Sequence, residues 1–206
     1  MAKLQKSIDK RNALIKATIE LVNNNGFHAT PMSKIAKMAN VSPATIYLYF
    51  ENKQDLVNKT YIEVKEEYTK YAFHTYNENM SVEAGFELIW KRIADFKLNE
   101  CENAMFLAQC DNTPMIDEPS RQEGIKHLQP LLDLWERGKK EGIIKPISDY
   151  VFIEMLRCNY NEGYNFGTFK ISIERFLNQI NALDISYTLS YIKNKDSDNS
   201  FLWINS

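Results

Sequence analysis

Two hydroxyl–proline pairs, Thr30-Pro31 and Ser42-Pro43, stand twelve residues apart in this chain. A hydroxyl accepts an N–H left free in a helix's first turn, and proline suits the first helical position, where its missing N–H is not needed. Each pair therefore predicts a helix start, with Thr30 and Ser42 as caps. Ile35, Ala36 and Ala39 would form the inner face of the first helix, and Ile46 with Phe50 that of the second. Asn40 falls where the chain must reverse, and Asn tolerates the left-handed conformation better than most residues. Two short helices so arranged make a helix-turn-helix, whose second helix enters the DNA major groove. The chemistry this offers is hydrogen bonding and apolar contact to a duplex.

Signals for an enzyme are weak by comparison. His28, His74 and His127 lie far apart, with no metal-ligand spacing among themselves or with Cys101, Cys110 and Cys158. A Gly-rich phosphate loop, a nucleophile elbow and an H-E-x-x-H pair are all missing. No catalytic residue, metal or cofactor is expected. Three cysteines, an odd number, argue against a disulfide framework, and inert buried thiols are a simpler reading than a redox or metal sensor.

The block Val41-Ser-Pro-Ala-Thr-Ile-Tyr-Leu-Tyr-Phe-Glu-Asn-Lys-Gln-Asp-Leu56 resembles the signature of the TetR family of bacterial transcriptional regulators. The lead-in is similar as well, through Leu14-Ile15, Ala17, Leu21-Val22, Gly26-Phe27, Thr30 and Ile35-Ala36. The resemblance implies a DNA-binding surface made of Thr30, Ser33, Ser42, Pro43, Ala44, Thr45, Tyr47, Leu48, Tyr49 and Lys53. In it Thr45 would bond a base or phosphate, while Pro43, Ala44 and Leu48 would touch thymine methyl groups. Tyr47 and Lys53 match the family's phosphate-gripping tyrosine and lysine, the latter beside a helix N-terminus that offers its own N–H groups. Leu48 and Tyr49 are equally candidates for packing on the head itself. Three departures stand out: Pro31 and Pro43 replace residues that are often a hydroxyl and a cation, and Asn40 replaces the usual Gly. With few polar base readers, operator shape and flexibility would carry much of the specificity.

Charge divides the chain in the same place. Residues 1–65 hold ten Lys/Arg and five Asp/Glu, and the remainder holds 15 against 22. The basic portion suits a phosphate backbone, in keeping with double-stranded DNA as partner. Lys3, Lys6, Lys10 and Arg11 are either extra phosphate contacts or a solvated helix start. The N-terminus has no apolar leader and no apolar run reaches membrane length, so no membrane association and a cytoplasmic location are expected.

The elements that must position these residues read as helical nearly throughout. The expected fold is all-α, about nine helices in total, with a DNA-binding head at residues 1–52 and a regulatory, ligand-binding and dimerisation body at residues 53–206. Helices are predicted over Ser7–Asn25, from Asn52 past Tyr68, over Ser81–Leu98 and over Cys101–Cys110. Thr113–Ser120 reads as a loop broken by Pro114 and Pro119, and Ser120–Glu141 as a helix kinked or broken at Pro130. The last two helices, Ser148–Gly167 and Ser172–Asn194, are apolar over a wide arc, and the resemblance implies a homodimer built on them. It also implies a small-molecule pocket. Phe86, Trp90, Phe106, Trp135, Tyr160 and Tyr164 are its candidate lining, suited to an apolar or aromatic inducer. The expected function is thus a homodimeric repressor on a palindromic operator, released by ligand. The alternative is a DNA-bound adaptor that recruits a protein partner.

Overall fold

In the computed structural model, which describes residues 2–143, these residues form helices joined by short turns and loops. Eight helices follow one another among the described residues: α1 (Ala2–Asn25), α2 (Met32–Met38), α3 (Pro43–Ile46), α4 (Lys53–Ala72), α5 (Val82–Asn99), α6 (Cys101–Asn112), α7 (Glu118–Lys126) and α8 (Gln129–Lys140). The expected helices after Ser148, the dimer surface assigned to them, Cys158, Tyr160 and Tyr164 lie outside the described residues.

Local signals explain most of the boundaries. Gly26 ends α1 at φ 76°, and Asn40 turns the chain between α2 and α3 at φ 54°, the left-handed conformation expected of it. Ser42 caps α3 by accepting from the Thr45 N–H, with Pro43 in the first turn. Asn52 caps α4 by accepting from the Asp55 N–H, while Asp55 reaches back to accept from Glu51 N. Ser81 caps α5 in the same way, through Ala84 N.

Three expectations need correcting. First, α1 begins at Ala2, well ahead of Ser7. Second, Thr30 does not cap α2; the cap position belongs to Pro31, and no side chain fills it. The Thr30 hydroxyl instead donates to the carbonyls of Leu21 and Gly26, at 3.1 and 2.8 Å, and so closes the turn that leaves α1. Third, Pro119 opens α7 rather than prolonging a loop, because Asp117 caps that helix through Ser120 N. The break foreseen at Pro130 does occur, with the proline in the first turn of α8.

One continuous core runs through the described residues, from Leu14 and Val22 on α1 to Leu131 and Trp135 on α8. α4 is its spine and packs against α1, α5, α6 and α7. Its upper turns also bury charge. Lys65 and Asp111 pair at 3.1 Å with their side chains almost wholly covered, and Tyr61 donates to the same carboxylate at 3.3 Å. Burial, then the Asp111 charge, pushes the Tyr61 phenol far above its ordinary pKa, so it remains a donor. Arg121 closes the assembly by donating to the carbonyls of Cys110, Asp111 and Thr113.

Candidate nucleic-acid interface

The helix-turn-helix is built from inside out. Ile35, Ala36, Ile46 and Phe50 are fully buried and seat α2 and α3 against α1 and α4. What this leaves outward is the start of α3 and the turn after it. Ser42, Pro43 and Ala44 are exposed, Thr45 is half-buried, and Tyr47 and Leu48 are exposed by 58% and 80%. A tyrosine and a leucine so exposed on a packed head serve no internal packing, which makes them available to a partner. Ser33 on α2 is exposed as well.

α3 itself is short. After Ile46 the backbone tightens, with Leu48 N–H donating to Thr45 O and Tyr49 N–H to Ile46 O, the i to i+3 spacing of a 3₁₀ turn. This turn swings Tyr47 and Leu48 outward while Phe50 points in. The hydroxyls of Ser42 and Thr45 lie 2.7 Å apart and share a hydrogen bond, so Thr45 is oriented by the cap residue and not by solvent.

Other candidates are held by the head. Thr30 is only 1% exposed and its hydroxyl is engaged, so it shapes the turn and cannot reach DNA. Tyr49 is half-buried, its hydroxyl 3.1 Å from Ser7 Oγ, tying the recognition segment to the second turn of α1. Lys53 donates to the Phe27 carbonyl at 3.0 Å, and its ammonium lies 4.2 Å from the centre of the Phe27 ring. A cation over an aromatic face is held without being neutralised. Phe27 and Ser7 are contributors that sequence reasoning missed as such, because each acts on a residue far along the chain.

Just beyond Lys53, α4 is fastened to the loop between α6 and α7. Gln54 donates to the Met115 carbonyl at 2.8 Å. Asn58 donates to Asp117 Oδ2 at 2.5 Å and accepts from Asp117 N. The bonds from Ser120, side chain first, hold the Asp117 carboxyl below its usual pKa, so it stays an acceptor. Gln54 and Asn58, one helical turn apart, were a visible polar pair with no visible partner.

The body candidates are differently placed. Phe106 and Trp135 are wholly buried in the core, and Phe86 meets Trp135 edge-on at 6.1 Å. Trp90 is half-buried on the same helix as Phe86. An open cleft of about 1010 Å³ lies elsewhere, between α1, α4 and the α5–α6 junction, lined by residues such as Asn12, Lys16, Glu63, Glu67 and Asn103. Burial drives the Cys110 thiol well above its ordinary pKa, which makes it unreactive. Among the described residues no group of His, Cys, Asp and Glu is arranged to hold a metal, and no helix is long and apolar enough to cross a membrane.

Known proteins resemble the chain at two scales. The family pattern for bacterial regulatory proteins of the tetR family matches residues 14–60. A fatty acid metabolism regulator protein of Bacillus subtilis (strain 168) is 50% identical over 44 residues, 21% of this chain and 23% of that protein. The chain thus spans less than a quarter of this relative in the match. At the scale of the whole fold, a TetR family transcription regulator from Marinobacter aquaeolei VT8 superposes with a TM-score of 0.71 at 23% identity, covering 93% of this chain and 97% of the other. A transcriptional regulator FadR from Bacillus subtilis, solved in complex with stearoyl-CoA, gives 0.56 at 21% identity over 87% and 94%. Identities this low speak for a shared all-helical fold and nothing finer.

Proposed function

We propose that this chain, which belongs to the TetR family of bacterial regulatory proteins and is a DNA-binding transcriptional regulator, acts as a homodimeric repressor on a palindromic operator and leaves it when a small apolar ligand binds its body. The observation that carries this reading is the outward display of Ser42, Pro43, Ala44, Tyr47 and Leu48 on a head whose inner face is fully packed. Within the reading, residues 1–52 read DNA and residues 53–206 dimerise and bind ligand, in a cytoplasmic protein. Tyr47 and Lys53 grip phosphates at either side of the groove, with Thr45, Pro43, Ala44 and Leu48 against the bases. Two heads related by a twofold axis require two half-sites about one DNA turn or somewhat more apart.

Release follows from the fastening of α4. Gln54 and Asn58 bind the α6–α7 loop directly behind Lys53. A ligand that favours another position of that loop shifts α4, and with it the spacing of the heads; only such differential affinity can relieve repression. An apolar chain is the first ligand class to try, because the regulator FadR that shares the fold was solved with stearoyl-CoA. Aromatic compounds come next, on account of Phe86, Trp90, Phe106 and Trp135.

The test is selection of bound sequences from random duplex DNA, then titration of the consensus at two salt concentrations with wild type, Tyr47→Ala and Lys53→Ala. A palindrome bound less tightly by both variants, with affinity falling steeply with salt, supports the reading. Absence of any enriched sequence overturns it. Adding long-chain acyl-CoA to the complex then asks whether the DNA is released.

A further inference from the structure

The first turns of α1 do not pack on the head. Leu4 and Ile8 remain 68% and 43% exposed although they continue the helix's apolar stripe, so α1 projects beyond the core it helps to build. This projection is nevertheless held in place. Ser7 Oγ and the Tyr49 hydroxyl are 3.1 Å apart, which ties the second turn of α1 to the residue that follows the exposed Tyr47 and Leu48 in the chain.

The cations on this stretch are not equivalent. Arg11 is taken: it bonds Glu63 of α4 at 2.7 Å and lies over the Phe50 ring. Lys6 and Lys10 are exposed, and neither joins an ion pair among the described residues. At about 3.6 residues per turn they lie close together on one flank of α1, and that flank adjoins Ser7. Asp9, the acidic residue of this stretch, lies three residues on from Lys6, on the side away from Ser7, and accepts from Gln5 at 2.9 Å. Around the helix the two lysines thus stand between Ser7, which holds the Tyr49 hydroxyl, and the Asp9 carboxylate on the far side.

We infer that Lys6 and Lys10 form a lateral phosphate clamp, in which the projecting start of α1 lies along the backbone bordering the groove that α3 enters. The occupant is the operator's own phosphate strand, outside the base pairs read by α3. Charge complementarity and continuity with the recognition segment through Ser7 and Tyr49 argue for it. This clamp rests on the DNA-binding reading above, and it deepens that reading by extending the footprint sideways. Its contribution is independent of sequence, since phosphate contacts position a protein without specifying bases.

The experiment uses the full chain and the duplex selected from random DNA, with Lys6→Ala/Lys10→Ala, Lys6→Arg/Lys10→Arg and Lys53→Ala beside wild type. The slope of log Kd against log salt should become shallower by about 0.9 for each phosphate that the alanine variant no longer neutralises, and stay near wild type in the arginine variant. Ethylation interference should lose phosphates flanking the consensus while the consensus sequence itself is unchanged. Both lysines are exposed, so helix content and Tm should hold, and the measurement does not depend on a folding defect. An unchanged slope and footprint in the alanine variant, with Lys53→Ala weakened, would overturn the clamp and leave the head reading intact. If Lys53→Ala also binds like wild type, the head reading fails and the clamp with it.

Discussion

Lys53 and Phe27 meet twice: the lysine Nζ donates to the Phe27 carbonyl at 3.0 Å and rests over the Phe27 ring at 4.2 Å. The turn after α1 therefore fixes the cation at the start of α4. The ring and the carbonyl thus hold the ammonium from one side, and in the proposed reading its remaining donors meet a phosphate.

From this pair follows a graded effect on DNA affinity. Lys53→Ala should weaken binding by about tenfold or more, the scale of a hydrogen bond to a charged group. Phe27→Leu keeps the carbonyl and removes only the ring, so a loss of about two- to fivefold is expected. Titration of the selected duplex checks both. Equal losses would mean that the ring matters for packing of the turn and not for the lysine.

The buried Lys65–Asp111 pair should respond very differently to single and double substitution. Asp111→Ala strands the Lys65 ammonium in a site where its side chain is 9% exposed, at a cost of about 3–5 kcal/mol. Replacing both, as Lys65→Met with Asp111→Leu, should recover most of that loss. Urea unfolding of the three proteins measures the difference.

Gly124 offers a test of packing against propensity. A helical Gly→Ala change ordinarily stabilises by about 1 kcal/mol. Here the added Cβ would sit 2.7 Å from Tyr61 Cε1, and the ring is fully buried and bonded to Asp111. Overpacking costs about 1–3 kcal/mol, so after the propensity gain is subtracted a net loss of up to about 2 kcal/mol is expected. A rise in Tm would show that α7 can move away from α4 at little cost.

Glu67 predicts a pH effect whose sign is set by its surroundings. Partial burial, then the charges of Glu100 and Glu63, raises its pKa above the ordinary glutamate value. A raised folded pKa means that the contribution is favourable below the unfolded pKa and is lost as pH rises through the folded one. Glu67→Gln should therefore stabilise the fold at neutral pH and raise Tm, the gain in free energy being less than about 1 kcal/mol because the site is solvated. The gain should shrink as pH falls through the glutamate range. A Tm gain that persists unchanged at acidic pH would assign the effect to something other than charge.

Short-range chemistry is legible in a string of letters. Ser42, Asn52 and Ser81 cap helices through partners three residues away, and each carries its signal in its own neighbourhood. Thr30 carries the same signal and does otherwise, because the carbonyls of Leu21 and Gly26 compete for its hydroxyl once α1 has turned. Pro119 illustrates the opposite error. Two residues after Asp117 it starts a helix, and without a cap in view it reads as a breaker. The pairs that steady two of the candidate residues, Lys53 with Phe27 and Tyr49 with Ser7, join positions 26 and 42 residues apart. No local pattern announces pairing at that range. The aromatics of the body were legible as apolar and not as wall or core, and Phe106 and Trp135 both lie buried in the core.

The unbroken core through α4 bears on how such a reader of DNA can be transplanted. Leu14, Ile35 and Phe50 share one apolar cluster with Leu56, Val57 and Tyr61, which lie beyond residue 52. A chimera joined at residue 52 would inherit every residue from Ser42 to Leu48 and lose the floor beneath them. A cassette that carries this floor must reach into α4 at least as far as Tyr61, the last of these residues. Exchange of specificity between regulators of this build is thus easier by regrafting the few exposed residues from Ser42 to Leu48 than by recombining gene segments.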